Sequence, residues 1–211
     1  MPAEAETAEP FLPRERGLPQ LRAAAETCRG CALYERATQT VFGAGPASAE
    51  IVLVGEQPGD REDLEGRPFV GPAGRILFRA LDDLGIARDE VYVTNAVKHF
   101  KWTAKGKRRI HQTPRASEVR ACLPWLDAEI ALIRPRLIAC LGATAVEALL
   151  GPRARVIQDR GRVLESGHGA CLITVHPSSV LRAQGEAGRR AAYDAFLADL
   201  RRGVEFLRRS A

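Results

Sequence analysis

IVLVGEQPGD, residues 51–60, is a short apolar run that stops in a turn of glycine, proline and carboxylates. Apolar and polar residues do not alternate along it. That is the pattern of a strand buried on both faces of a parallel sheet. Three other runs look the same: VYVTNAV (91–97), LIACLG (137–142) and CLITVH (171–176). Helical segments lie between them. GRILFRALDDLG (74–85) repeats apolar residues at Ile76, Leu77, Ala80, Leu81 and Leu84 and stops at Gly85, which is helical spacing with a glycine end. ASEVRACLPWLDAEIALIRP (116–135) and GATAVEALLG (142–151) follow. An earlier helix is expected over residues 18–27 and a last one over 188–208. Strands that alternate with helices predict an α/β fold, a central, mainly parallel four-stranded sheet with helices on both faces.

Sheets of this kind bind ligands at the carboxyl ends of their strands. The rule gathers GEQPGD, TNAVKH, LGAT and HPSS on one edge. Glu56 and Asp60 bring carboxylates there, able to orient a water or a nucleophile; alone, they would read as a turn with solvated acids. Phe69, in GRPFVGPAG (66–74), sits among glycines and prolines rather than on a periodic face. A loop aromatic beside such a cleft either packs on the core or stacks on a base. Asn95 ends the second run. Its carboxamide can accept from a pyrimidine N3–H and donate to O4, an orientation that refuses cytosine. In HPSSVLR (176–182), exposed backbone N–H groups near Ser178 suit a phosphate. His176 would donate to a departing carbonyl oxygen.

The chain has 211 residues, a net charge of +5 and a sequence pI of about 9.2. The charge favours a polyanionic partner without identifying it. No stretch approaches the roughly 20 apolar residues that span a bilayer, and MPAEAETAEP is acidic and lacks the apolar core of a secretory signal. The cytoplasm is the expected compartment. Residues 1–16 read as a mobile tail and 17–211 as a single domain; no helix suggests a dimer, so a monomer is expected. Five cysteines then point to metal or buried thiols rather than disulfides. Cys28 and Cys31 form a C-x-x-C, and Cys122 lies on a helix, with His99 the best fourth donor. Three cysteines and a histidine suit structural zinc or an iron–sulfur cluster, and spacing does not choose between them. Cys140 and Cys171 read as plain buried thiols.

KGKRRIH, residues 105–111, is basic and closes on a histidine. Taken alone it is a solvated, DNA-contacting loop. Together, however, GEQPGD, GRPFVGPAG, TNAVKH, KRRIH and HPSSVLR resemble the uracil-DNA glycosylase superfamily, in particular its iron–sulfur members of the UdgX type, over about residues 20–208. Gln57 stands where ordinary iron–sulfur members have alanine, and His99 where they have a cysteine ligand. The resemblance implies a three-layer α/β/α sandwich and uracil-containing DNA as substrate, single-stranded and also double-stranded. It implies a [4Fe–4S] cluster on Cys28, Cys31, His99 and Cys122. Phe69 would stack on an extruded uracil, Asn95 would read its edge, and His176 would stabilise the leaving base. Gln57, Arg109 and Ser178 join the substrate-binding set, and Asp60 the catalytic one. In the UdgX type the loop histidine captures the sugar, which here makes His111 the nucleophile, with Glu56 orienting its ring and Arg109 holding the loop closed. A hydrolytic glycosylase with a water on Glu56 or Asp60, and a non-catalytic DNA binder, are the competing expectations.

Overall fold

The structure is a computed structural model, and it describes residues 7–15, 17–152 and 154–209. Five strands form the central sheet in the order β2-β1-β5-β7-β6: β1 (Ile51–Gly55), β2 (Val91–Asn95), β5 (Leu137–Leu141), β7 (Gly169–Thr174) and β6 (Val163–Ser166). The first four are the four expected runs, and they pair in parallel. Strand β6 corrects the four-stranded expectation. It adds antiparallel to β7 as a short hairpin arm. Only four residues long, with Glu165 exposed, it carries none of the apolar continuity that marked the others.

Alternate residues of β1 supply opposite faces, as the strand period requires. Ile51 and Leu53 pack with Leu77, Leu81, Phe196 and Leu200, from α3 (Pro72–Asp83) and α8 (Gly185–Arg209). Val52 and Val54 pack with Leu126, Ile130, Val146 and Leu149, from α4 (Ala116–Ile133) and α5 (Ala143–Leu150). The result is helix, sheet, helix. Three short helices complete the chain near the ends of the sheet: α2 (Asp60–Glu65), α6 (Val156–Asp159) and α7 (Ser178–Arg182).

A third cluster lies beyond the edge of the sheet. Helix α1 (Leu18–Ala25) buries Leu21 and Ala25 with Phe42, Val97, Trp125 and the cysteines 28, 31 and 122. The stretch read as a tail is partly built into this cluster. Ala8 is buried, and its N–H donates to the Ala121 carbonyl at 2.8 Å. Residues 1–6 and 16 of that stretch lie outside the described residues.

The basic stretch KGKRRIH departs from its expected loop. It is half of a second, two-stranded sheet, in which β3 (Trp102–Lys105) pairs antiparallel with β4 (Arg108–His111). Gly106, at φ 59°, makes the tight turn with Lys107; a two-residue hairpin loop needs such left-handed backbone.

Candidate active site

The chain runs from β1 to β2 on one side and then crosses to β5 on the other. The crevice between β1 and β5 is therefore the switch point where ligands enter such sheets. Glu56 leaves the end of β1, and Thr144 begins α5 just after β5. They meet there: the Thr144 hydroxyl donates to Glu56 Oε2 at 2.6 Å. Thr144 was not singled out by sequence reasoning, although LGAT was placed on this edge. The other carboxylate oxygen, Oε1, stands 3.3 Å from His111 Nε2. One carboxylate thus holds a hydroxyl from the sheet and faces an imidazole from the hairpin.

Gly55 makes room for the neighbouring groups. A side chain there would run into Asn95 Oδ1 and the Phe69 ring. Asn95 is 3% exposed and Phe69 5%. Pairing continues past the strand ends, with Ala96 N–H donating to Gly55 O at 2.9 Å and Val97 N–H to Glu56 O at 3.0 Å, so the Asn95 backbone is fixed. Phe69 has φ 57°, an uncommon conformation for a bulky residue. Gly74 permits it, because a Cβ at Gly74 would collide with the Phe69 carbonyl. The Phe69 ring lies nearly parallel to His176, with centroids 6.3 Å apart and planes 28° apart.

His176 is held in one tautomer. The backbone N–H of Ser178 donates to Nδ1 at 3.2 Å, and the Ser178 hydroxyl lies 2.7 Å from the same atom. Arg182 donates to that hydroxyl at 2.8 Å, so the hydroxyl proton turns to Nδ1. The ring proton of the neutral form is then on Nε2. Burial, with the charges of Arg182 and His111 adding to it, pulls the His176 pKa down to about 4. Both the N–H and the hydroxyl of Ser178 thus face the imidazole.

The hairpin is fastened mainly by side chains. The Gln57 carboxamide donates to Lys101 O at 3.2 Å and Gln112 O at 3.0 Å, and accepts from Lys101 N–H at 3.0 Å. Gln57 is buried and clamps both legs of the hairpin. Arg109 donates to Asp60 and to Asp63, the latter at 2.6 Å, and its guanidinium lies 5.4 Å from the Phe100 ring centre and 5.5 Å from that of Trp102. Partial burial opposes its charge, but the bonds to Asp63 and Asp60 prevail and raise its pKa. Asp60 is therefore engaged by Arg109. The Trp102 indole donates to Arg36 O at 2.9 Å.

Cys28, Cys31 and Cys122 are buried in one apolar cluster. Trp125 Nε1–H donates to Cys28 Sγ at 3.2 Å, and Lys98 N–H to Cys122 Sγ at 3.3 Å. Burial pushes the Cys122 thiol up to about 12, against the pull of the Lys98 charge and N–H. His99 Nε2 lies 2.9 Å from Thr40 Oγ1, which donates its proton to Ala25 O at 2.8 Å. The Thr40 oxygen can then only accept, so Nε2 carries the ring proton and Nδ1 the lone pair. Burial pulls the His99 pKa down to about 4. Among the described residues, no three His, Cys, Asp or Glu side chains converge as they would on a single metal ion. Cys140 and Cys171 lie outside that cluster and against each other, buried within β5 and β7.

Beneath the site, Lys98 and Glu129 form an ion pair at 2.6 Å with both side chains almost wholly buried. Lys98 Nζ also donates to Thr94 Oγ1 and to the Asn95 carbonyl, at 2.7 and 2.8 Å. Glu129 accepts from Tyr92, Thr94 and the Gly43 N–H. No sequence signal marked this network, because its members lie up to 86 residues apart.

Residues 42–201 match the uracil DNA glycosylase superfamily. The chain is 38% identical over 174 residues to a type-4 uracil-DNA glycosylase of Pyrobaculum aerophilum, covering 78% of this chain and 85% of that one. It is 36% identical over 184 residues to a type-4 uracil-DNA glycosylase of Thermotoga maritima, covering 86% and 90%. A type-5 uracil-DNA glycosylase of Pyrobaculum aerophilum is 32% identical over 180 residues, covering 72% and 74%.

Proposed function

Because the chain belongs to the uracil-DNA glycosylase superfamily, we propose that it releases uracil from DNA and that His111 then captures the sugar. The type-4 relatives support base release. The observation that carries the capture is the position of His111, 3.3 Å from Glu56 on a hairpin that Gln57 and Arg109 fasten in place.

An extruded uracil stacks on Phe69, and Asn95 accepts from its N3–H and donates to O4. Extrusion is needed because the glycosidic bond is out of reach in a stacked duplex; a single strand avoids the unpairing cost. As the C1′–N1 bond breaks, its electron pair leaves with the base and positive charge grows on the deoxyribose. His176 Nε2–H donates to the carbonyl oxygen that gains negative charge. Glu56 stabilises the sugar cation and accepts the N–H of the His111 ring. The lone pair on the other ring nitrogen forms the bond to C1′. The imidazolium so formed gives up its remaining proton, and the uracil anion takes one from solvent. The adduct joins carbon to imidazole nitrogen and offers water no carbonyl, so it persists.

Cys28, Cys31, Cys122 and His99 would hold a [4Fe–4S] cluster. The donor set fits: three buried thiols share one cluster of side chains, N–H groups point at two of the sulfurs, and His99 keeps a lone pair on Nδ1. Held by these residues, such a cluster would tie together the segment of Cys28 and Cys31, the stretch that follows β2, and α4. No described helix is long and apolar enough to cross a membrane, and we place this activity in the cytoplasm, as a monomer acting in DNA repair.

The test is a denaturing gel with a labelled single-stranded oligonucleotide that holds one uracil. A slow band that survives boiling in detergent, and is absent with thymine, is the expected result. His111→Ser should replace that band with free abasic DNA and repeated turnover. If the unaltered protein gives only alkali-labile free DNA, hydrolysis by a water on Glu56 is the correct reading. Intact DNA would leave a binding protein.

A further inference from the structure

A cleft of about 460 Å³ borders Phe69, and none of Glu56, Asn95, His111 or His176 lines it. Its floor is apolar. Val91 and Val93 come from edge strand β2, and Phe78 from α3. Its rim holds Arg61, Arg67, Arg75 and Arg88. Glu65 is the one carboxylate in the lining, and it is shared by Arg61 at 3.4 Å and Arg67 at 3.5 Å. Arg75 and Arg88 have no carboxylate within ion-pair distance among the described residues. Arg88 lies over the Phe78 ring, 4.2 Å from its centre.

Four arginines drawn from three parts of the chain gain little from one another. Surface cations placed only for solubility have no reason to converge on an apolar floor. Arg75 also stands in the first turns of α3, where a cation opposes the helix dipole. The cleft has the volume of an ordinary ligand site, and an aromatic with an arginine over it is a surface on which a base stacks without regard to sequence.

We propose that this cleft is a second nucleotide subsite, which takes the nucleotide next to the extruded uracil in the same strand. Its phosphate sits on Arg75, and its base stacks on the Arg88 guanidinium, which itself lies over Phe78. The assignment rests on the uracil-in-cleft reading above, since Phe69 is the wall common to both sites. Successive nucleotides of a stacked strand advance about 3.4 Å along the helix axis, and an unstacked strand extends farther, so a neighbour reaches around a single ring.

The experiment measures binding of a fluorescent single-stranded oligonucleotide whose one uracil sits on a 2′-fluorinated deoxyribose, which destabilises the sugar cation and keeps the base attached, over a range of KCl, by the unaltered protein and by the double variant Arg75→Gln/Arg88→Gln. Each neutralised phosphate on a single strand contributes about 0.7 to the slope of log affinity against log salt. With one phosphate in the cleft, the double variant should lose about 0.7 of that slope. Arg189→Gln/Arg190→Gln, on the exposed start of α8, serves as a charge-matched control and should lose less. Shortening the oligonucleotide from either side of the uracil then locates the contact. One truncation should weaken the unaltered protein and leave the double variant unaffected. A slope equal to that of the unaltered protein or of the control, or truncations that weaken both proteins alike, would overturn the subsite. Failure of the glycosylase reading shows separately, as absence of base release by the unaltered protein.

Discussion

Two neighbouring segments of this protein carry the two halves of the proposed chemistry, and they are built in opposite ways. From Val91 to Phe100 every residue is buried, and the segment that presents Asn95 is held by backbone pairing and by the Lys98–Glu129 pair beneath it. From Lys101 to His111 no residue is buried. The hairpin that presents His111 is attached through Gln57, Arg109 and Trp102, by side-chain bonds. Reading a base edge requires donors fixed to within a few tenths of an ångström. Capturing a cation that has already formed requires only that a nucleophile be near. The rigid segment is part of the fold, whereas the hairpin is an attachment to it.

The comparison breaks first at Lys98. Lys98→Met strands the Glu129 carboxylate in the core, and leaving one partner of a buried pair costs about 3–5 kcal/mol. The denaturant midpoint should fall accordingly. Lys98→Met/Glu129→Gln removes the stranded charge and keeps an acceptor for Tyr92 and Thr94, so it should recover much of the loss. A loss below about 1 kcal/mol in the single variant would mean that Asn95 does not depend on this network.

Removal of the hairpin latch should do less to the fold and more to capture. Arg109→Ala frees Asp60, which is half exposed, and leaves the buried Asp63 with the Thr38 N–H. A loss of about 2 kcal/mol is expected from the uncompensated carboxylate. Boil-resistant adduct should form about 100-fold more slowly, while base release, read by alkali cleavage, falls by a smaller factor. Equal losses in both would make the hairpin part of the cleavage machinery.

Gln57→Ala should slow capture by about 10-fold, because it removes hydrogen bonds of about 1 kcal/mol each and leaves Arg109 in place. Gln57 also shows what a sequence does and does not disclose. The four inner strands were legible because burial on both faces leaves continuous apolar runs, and their ends named the edge where Glu56, Asn95 and His176 meet. Gln57 itself was visible as a departure in GEQPGD, but its contacts are with residues 44 and 55 positions away. No local pattern encodes such contacts, and the same holds for Thr144 on Glu56 and Glu129 on Lys98. The hairpin was misread for a different reason. Lys105, Lys107, Arg108 and Arg109 carry no strand preference, and Gly106 alone marks the turn. Strand β6 was missed because an edge strand of four residues needs no apolar run.

The smallest effect is expected at His176, on the rigid side. Its folded pKa of about 4 lies below the usual histidine value of 6.5, through burial first and then the Arg182 and His111 charges. Between those two values the unfolded chain binds a proton here and the folded chain does not, so this group makes stability rise as pH climbs from about 4 to 6.5 and adds no slope above. In the same window the ring keeps its Nε2–H as a neutral donor. Base release by His111→Ser should therefore show no titration from His176 between pH 5 and 8 and should decline toward pH 4. An acid limb centred near 6.5 in that variant, absent from His111→Ser/His176→Asn, would mean that the ring is solvated when DNA is bound, and the rigid side of the site would then be no more fixed than the hairpin.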